Sequence, residues 1–104
     1  ALSSSRLQAS ADALAQGRLN EAAASARSAA AVAPWAAEPW LQLANVELAA
    51  GNLDASQAAV EQGIDRDRSS LRAWLIATNI QSRRGDADAS AAYGFRAFEL
   101  GLRE

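Results

Sequence analysis

The stretch WLQLANVELAAGNLDAS, residues 40–56, reads as a helix, a tight turn and the start of a second helix. Trp40, Leu43 and Ala44 recur at the spacing that places apolar residues on one face of an α-helix. Gly51 supplies the left-handed backbone conformation that closes a helix at little cost. A helical pattern resumes directly after it, so this stretch predicts a helical hairpin.

The same hairpin recurs along the chain. Gly17, Gly51 and Gly85 are separated by two steps of 34 residues (51 − 17 and 85 − 51), and Trp40 and Trp74 repeat at the same step. This period divides the chain into units at 3–36, 37–70 and 71–104. One hairpin cannot bury its own apolar face, and about three repeats are the minimum for a stable stack. We therefore predict a single all-α domain over residues 1–104, an α-solenoid of three helix-turn-helix repeats, and we expect it to be cut from a longer protein.

The helix boundaries are predicted from the turns and caps. Asn20, Asp54 and Asp88 each lie three residues after a turn glycine and are good N-cap residues. Asp54 also has Gln57 three residues later, which is a capping-box arrangement. The first helices of the three units are expected to begin near Ser3, Glu38 and Ser70. The predicted helices lie near 3–16, 20–32, 38–50, 54–66, 71–84 and 88–101.

These residues resemble the tetratricopeptide repeat (TPR) family over essentially the whole chain. The second unit keeps the family's aromatic, leucine and small residues: Trp40, Leu43, Ala44, Gly51, Leu53, Ser56 and Gly63. The family's first-helix tyrosine is replaced by Ala13, Glu47 and Gln81. The related half-a-TPR (HAT) and pentatricopeptide repeats are alternatives, the first because the run at 40–44 and Glu47 resemble it. The resemblance implies six antiparallel helices in a right-handed superhelix, with the first helix of each pair lining a concave face.

Composition argues against several classes of function. The chain contains no cysteine, histidine or lysine, so thiolate metal sites and the commonest general bases and nucleophiles are missing. The net charge of −2, without a basic stripe, argues against nucleic acid as a partner. No apolar run approaches the roughly 20 residues of a membrane helix. We expect no catalysis, no metal, no cofactor and no membrane insertion by this segment.

In TPR arrays, peptides of partner proteins usually lie in the concave groove, so the resemblance implies candidate binding residues by register. The wider set is Leu7, Ala11, Leu41, Gln42, Asn45, Leu48, Arg72, Leu75, Ile76, Asn79, Ser82 and Arg83. From it we predict a partner-binding groove formed by Leu41, Asn45, Leu48, Arg72, Leu75, Asn79 and Arg83.

Asn45 and Asn79 are the most informative members of this set, because they are 34 residues apart and point the same way from neighbouring helices. Each amide offers a donor and an acceptor, which suits the backbone of an extended peptide. The alternative is that both are solvated surface residues or are bonded to a neighbouring helix. Arg72 and Arg83 have the planar fork that favours carboxylates. The other residues of the chaperone carboxylate clamp are missing, which argues against that specialised role.

Two further regions carry apolar side chains that the repeat does not require. Trp35 follows Pro34 in the first inter-repeat loop and breaks the period, so it is a candidate secondary contact. Phe95, Phe98 and Leu102 cluster in the last helix, which is not the polar capping helix that usually ends an array. We therefore expect self-association through the C-terminal helix.

Three functions are left open by these residues. The first is a scaffold that binds a peptide or partner protein in the concave groove. The second is a structural, self-associating segment that assembles a larger protein. The third is an accessory TPR tail on a bacterial membrane or cell-envelope protein of polysaccharide assembly, which rests on the alanine-rich, arginine-rich style of the chain. The sequence leaves open whether the segment is cytoplasmic or extracytoplasmic, and it does not identify the partner.

Overall fold

A computed structural model describes residues 2–102 as six α-helices joined by short turns. In chain order these are α1 (Leu2–Ala15), α2 (Leu19–Val32), α3 (Ala37–Ala49), α4 (Leu53–Arg66), α5 (Leu71–Arg84) and α6 (Ala87–Leu102). Every predicted boundary lies within one residue of the observed one, and the all-α class with three helical pairs is confirmed. Residues 103 and 104 of the predicted third unit lie outside the described range.

The turn within each pair is built in the same way three times. Gly17, Gly51 and Gly85 have φ angles of 75°, 82° and 79°, which is the left-handed region that side chains with a Cβ rarely adopt. The residue after each glycine donates its N–H to a carbonyl five residues earlier, as in the 2.9 Å bond from Asn52 to Glu47. This is the bond pattern of a Schellman motif, which satisfies the last carbonyls of the helix. The 34-residue period is therefore a period of helix stop signals.

The N-cap assignments of Asn20, Asp54 and Asp88 are wrong. Their helices begin at Leu19, Leu53 and Ala87, which places all three residues inside the first turn. The Schellman turn ends so soon after the glycine that the next helix begins before these residues are reached. Asp54 and Asp88 instead lie near the positive end of the helix dipole. The capping box is also wrong, because the Gln57 amide donates to Glu61.

Two of the helix starts do have side-chain caps. The Ser70 hydroxyl accepts a hydrogen bond from the Ala73 N–H at 3.2 Å and so caps α5, which begins where it was expected to begin. The Asp86 carboxylate accepts one from the Ala89 N–H at 3.0 Å. The Arg84 guanidinium contacts the Asp54 carboxylate, which links α5 to α4 of the preceding pair.

The two helices of each pair are joined at one equivalent point by a buried or half-buried hydroxyl. Ser10 donates to the Ala22 carbonyl at 2.7 Å, and Ser56 donates to the Ala44 carbonyl at the same distance. Ser90 makes the corresponding bond to Thr78 at 3.3 Å. A serine at this point lets the two backbones approach closely and still leaves the hydroxyl bonded.

The main hydrophobic core lies between α3, α4 and α5. It contains the buried aliphatic side chains Leu41, Leu48, Val60, Ile76 and Ile80, together with small alanines. The first pair is built differently, because its buried residues are mainly alanines on α2. Alanine allows close helix packing but buries little apolar area per residue, so the second and third pairs contribute most of the hydrophobic stabilisation.

The packing order makes one face of the stack concave. The first helices contact one another, α1 with α3 and α3 with α5, whereas within residues 2–102 the second helices make no contact among themselves. The stack is therefore closed on the side of α1, α3 and α5 and open on the side of α2, α4 and α6. None of the helices in the described range has the length and apolarity that crossing a membrane requires.

Candidate functional site

The concave face, formed by α1, α3 and α5, presents two equivalent asparagines. Asn45 is half-buried on α3, and Asn79 is exposed one period later on α5. None of the side-chain hydrogen bonds within residues 2–102 involves either amide. The amides of Gln42 and Gln81, by contrast, are both bonded to other side chains. The two asparagine amides therefore keep their donors and acceptors available on this face.

The assignment of Leu41 and Leu48 to the surface of the groove is wrong. Leu41 is 0% exposed, and Leu48 is also buried in the core between α3, α4 and α5. Leu41 packs so closely on the helix α4 backbone at Gly63 that a Cβ there would lie 2.4 Å from Leu41 Cδ2. Ile76, from the wider set, is buried in the same core. These apolar side chains hold the helices together and cannot contact a partner.

Leu75 differs from Leu41 although the two occupy the same position in consecutive repeats. Leu75 is 49% exposed, because α5 covers Leu41 and no described helix lies over Leu75. Of the three leucines predicted to form the groove, Leu75 is therefore the exposed one. It adds an apolar contact beside Asn79 on α5.

Arg72 is engaged within the molecule. Its Nη1 donates to Glu38 at 2.6 Å, and its Nη2 donates to the Gln42 side-chain oxygen at 3.1 Å. The Gln42 amide in turn donates to the Ser10 hydroxyl at 3.1 Å. This chain of bonds joins α1, α3 and α5 across the concave face. Arg72 and Gln42 therefore form polar links between α1, α3 and α5.

Arg83 also has an internal partner. It donates from Nη1 to the Leu48 carbonyl at 3.0 Å, at the C-terminal end of α3. A cation at this end interacts favourably with the helix dipole. Leu7 is half-buried on α1, and Ala11 and Ser82 are exposed. Of the seven residues predicted to form the groove, Asn79 and Leu75 therefore combine exposure with no internal hydrogen bond, and Asn45 is half-buried.

The two repeated tryptophans are half-buried, and each is anchored by the same hydrogen bond. The indole Nε1 of Trp40 donates to the Pro34 carbonyl at 3.3 Å, and that of Trp74 donates to the Arg68 carbonyl at 2.8 Å. Trp74 also packs against Tyr93, with ring centroids 5.8 Å apart. Trp35 lies in the loop and is 75% exposed, and its role as a secondary contact stays a prediction.

A second concave feature, not foreseen from the sequence, lies on the opposite face. It is a cleft between α2 and α4 with α3 as its floor, and it consists of two adjoining cavities of about 500 and 530 Å³. Trp40, Leu43 and Glu47 form the floor. One wall consists of Arg27, Ala30 and Ala31 on α2 with Pro34 in the loop that follows it, and the other consists of Ala55, Ala58, Ala59, Gln62 and Arg66 on α4. We call it the α2–α4 cleft.

The cleft is mostly apolar but has charged groups at defined places. The Arg66 guanidinium lies 4.9 Å from the centre of the Trp40 ring, a cation–π contact. Glu47 is buried at the other end, where it accepts hydrogen bonds from Asn52 at 3.0 Å and from Arg27 at 3.5 Å. Only the regular spacing of alanines on α2 and α4 signals this cleft in the sequence.

The last helix exposes a third apolar surface. Phe95, Phe98 and Leu102 are 64%, 61% and 72% exposed, and their spacing places them on one side of α6. We call these three residues the α6 face. The expected exposure of the C-terminal helix is thus confirmed, whereas self-association through it stays a prediction.

Comparison with known proteins agrees with this architecture. A family model described as tetratricopeptide repeat matches residues 13–80, which is more than half of the chain. Among solved structures, the Arabidopsis OM64 TPR domain superposes with a TM-score of 0.90 at 15% sequence identity, over 98% of this chain and 84% of that one. At this identity the likeness is one of fold. No match was found among curated proteins. The periodic turns, the paired helices and the family match together place the chain in the tetratricopeptide repeat family.

Proposed function

We propose that this chain is a protein-interaction scaffold that holds an extended segment of a partner protein across α3 and α5. TPR domains are non-catalytic and generally bind protein partners, which supports the broad role. The observation that carries the finer proposal is the pair of equivalent amides, Asn45 and Asn79, with no internal hydrogen bonds on the concave face.

The spacing of the two amides suits a peptide backbone. Packed helices lie about 8–10 Å apart, and an extended chain advances about 3.3 Å per residue. Two equivalent amides on neighbouring helices would therefore meet backbone groups roughly three residues apart. Because an amide both donates and accepts, either backbone group of the partner can be bound.

Leu75 sets the expected chemistry of the partner beside these amides. An apolar side chain of the bound segment would cover its exposed half. The two arginines of the predicted groove add less, because Arg72 is bonded to Glu38 and Arg83 to the Leu48 carbonyl. We therefore propose an extended segment that carries an apolar residue, recognised mainly through its backbone.

The test compares three substitutions of one residue type. Displayed random peptides are selected on the wild-type chain, and the affinity of a selected peptide is then measured for Asn45→Ala, Asn79→Ala and Asn20→Ala. Asn20 is exposed on α2, away from the concave face, and serves as the matched control. Each groove substitution is expected to weaken binding by about 3- to 30-fold, since a lost hydrogen bond costs about 0.5–2 kcal/mol. Equal affinity for all three variants would contradict the proposal.

A second function, self-association, is favoured by the exposure of the α6 face. Exposed apolar patches of this kind are common sites of protein association. The test is the mass of the wild-type chain by sedimentation across a wide range of concentrations. A mass that increases with concentration is expected, and a strict monomer at the highest concentration would rule this function out.

A further inference from the structure

We propose that the α6 face of one copy of this chain docks into the α2–α4 cleft of a second copy. The inference rests on the second proposed function, self-association, and adds the surface that receives α6. It joins two apolar features of the same molecule, neither of which has a partner within residues 2–102.

Comparison with the equivalent residues of the first repeat shows that the α6 face lacks a flanking helix. Phe95, Phe98 and Leu102 correspond, two repeats earlier, to the cleft-wall residues Arg27, Ala30 and Pro34. The wall of α2 is flanked by α3, and Ala30 is only 5% exposed there. Phe98 is 61% exposed at the equivalent position on α6. A large aromatic thus stands where the first repeat has a covered alanine.

The cleft has the space and the chemistry to accept these side chains. Ala31, Ala55 and Ala58 on its walls are exposed and small, so they leave room between the two helices. Trp40 and Leu43 on its floor offer an aromatic and an aliphatic contact to an inserted phenyl ring. The α6 face, 95–102, and the facing wall, 27–34, each cover eight residues, and on α6 this is about 10 Å of helix. The length of the inserted stripe therefore matches that of the wall.

The charges around the two surfaces are complementary. Arg27 has an exposed side chain at the cleft, and Arg66 lies over Trp40 beside it. Glu99 lies on α6 next to Phe98, at the position that Ala31 occupies on the cleft wall. Glu47 is the one acid that lines the cleft, and it is buried and bonded to Arg27 and Asn52. Docking α6 would bring the Glu99 carboxylate close to the two arginines.

The outer side of α1 is a poorer receptor for α6. The α5 side chains that pack on the preceding pair are Ala73, Ile76, Ala77 and Ile80. The equivalent residues on α1 are Ser5, Gln8, Ala9 and Asp12, and Gln8 and Asp12 are bonded to each other at 3.0 Å. Covering this polar surface with phenylalanine would remove water from it without replacement hydrogen bonds.

The α6 face is large enough to form a substantial part of a protein–protein interface. A phenylalanine carries about 200 Å² of surface, so the two exposed phenyl groups and Leu102 together present several hundred Å². A stable interface of standard size buries about 800 Å² per partner. The α6 face would therefore supply about half of one side, and the helix surface around it would supply the rest.

Since the cleft and the α6 face are different surfaces, the contact would be heterologous, and each surface can be disabled separately. Phe95→Ser/Phe98→Ser removes the inserted side chains and leaves the cleft intact. Ala31→Glu/Ala58→Glu fills the cleft with acids that repel Glu99 and leaves α6 intact. Ala24→Glu/Ala87→Glu is the matched control, because both alanines are exposed and lie outside both surfaces. Circular dichroism verifies that every variant keeps its helices.

Sedimentation gives the mass of each variant alone. It also gives the mass of a one-to-one mixture of the Phe95→Ser/Phe98→Ser variant and the Ala31→Glu/Ala58→Glu variant. We expect the wild type and the control to self-associate and the first two variants to weaken self-association at least about tenfold. Their mixture should restore a species of two chains that grows no further, because each chain has one working surface. Self-association of the cleft-blocked variant alone would overturn the inference and leave the second proposed function standing. A monomeric wild type would overturn both.

Discussion

Gly63 is a point of very close packing between the two helices of the second repeat. It lies in the last turn of α4, where the other two repeats have Ala29 and Ala97. In this repeat the facing side chain, Leu41, is fixed between α4 and α5 and is fully buried. A methyl group at Gly63 would therefore meet a side chain with no free volume around it, unlike the equivalent leucines of the other repeats.

We predict that Gly63→Ala destabilises the fold although alanine favours helices. The new Cβ would lie 2.4 Å from Leu41 Cδ2 and 3.0 Å from its Cγ. Overpacking of this kind costs about 1–3 kcal/mol, and the gain in helix propensity returns at most about 1 kcal/mol. The midpoint of urea unfolding, followed by circular dichroism, is expected to fall.

Gly94→Ala is the matched control for this substitution. Its Cβ would meet Thr78 Cγ2 at 3.7 Å, an ordinary contact, so only the propensity gain should remain. A stabilisation of about 0.5–1 kcal/mol is expected. If both variants were equally stabilised, Leu41 would have room to move and the packing argument would be wrong.

Individual residues were also where prediction from the sequence was weakest. The period of the glycines predicts the turns because a left-handed glycine is a local requirement. Whether Leu41, Leu48 or Leu75 is exposed depends on which helix from a later repeat covers it, and this is not a property of the local sequence. Asn45 and Asn79 could be named as a pair in advance, but the absence of internal bonds to their amides required the structure.

At the scale of the helices, the contact between α3 and α5 has a polar part that can be measured. Arg72 on α5 donates to Glu38 on α3 at 2.6 Å, and both side chains are partly exposed. We predict a coupling free energy of about 0.2–1 kcal/mol from a double-mutant cycle of Glu38→Ala and Arg72→Ala. The coupling should decrease at about 1 M salt, where charges are screened within about 3 Å. A coupling that is zero, or unaffected by salt, would show that the pair does not link these helices.

The helices also differ in the apolar area that they bury. The core of α3, α4 and α5 contains leucine, valine and isoleucine, whereas α1 packs on α2 largely through alanine and serine. We predict that amides of α1 exchange with deuterium fastest among the six helices and that amides of α3 exchange slowest. Local opening is easiest where little apolar surface holds an element in place. Equal protection of α1 and α3 would contradict this assignment of stability.

Helix boundaries were predicted better than the caps that start them. The three Schellman turns are encoded by glycines, and all twelve helix ends lie within one residue of expectation. The N-caps failed because the residue directly after each turn glycine already occupies the N-cap position, two residues earlier than predicted, as Arg18 and Asn52 show. The α2–α4 cleft was missed for a different reason. Its walls come from two helices whose backbones α3 holds apart and which the Arg66 side chain bridges at one end, by donating to the Pro34 carbonyl, so the cleft exists only once α3 has separated them.

At the scale of the whole molecule, three surfaces are available to partners, and they lie on different sides of the stack. The concave face presents Asn45 and Asn79, the opposite face contains the α2–α4 cleft, and the end of the stack exposes the α6 face. Both proposals can hold together, because docking of α6 into the cleft leaves the concave face open. A role as an accessory tail of a bacterial envelope protein stays a prediction.

The most direct test of the proposed scaffold function is the nuclear magnetic resonance of the asparagine side chains themselves. A ¹⁵N-labelled chain is titrated with an extended peptide selected for binding, and the side-chain NH₂ signals of Asn45, Asn79 and Asn20 are followed. The proposal predicts that the signals of Asn45 and Asn79 shift in proportion to the bound fraction, together with the backbone signal of Leu75, and that the signal of Asn20 stays in place. Shifts confined to the alanines of the α2–α4 cleft or to α6, with both groove amides unmoved, would contradict it.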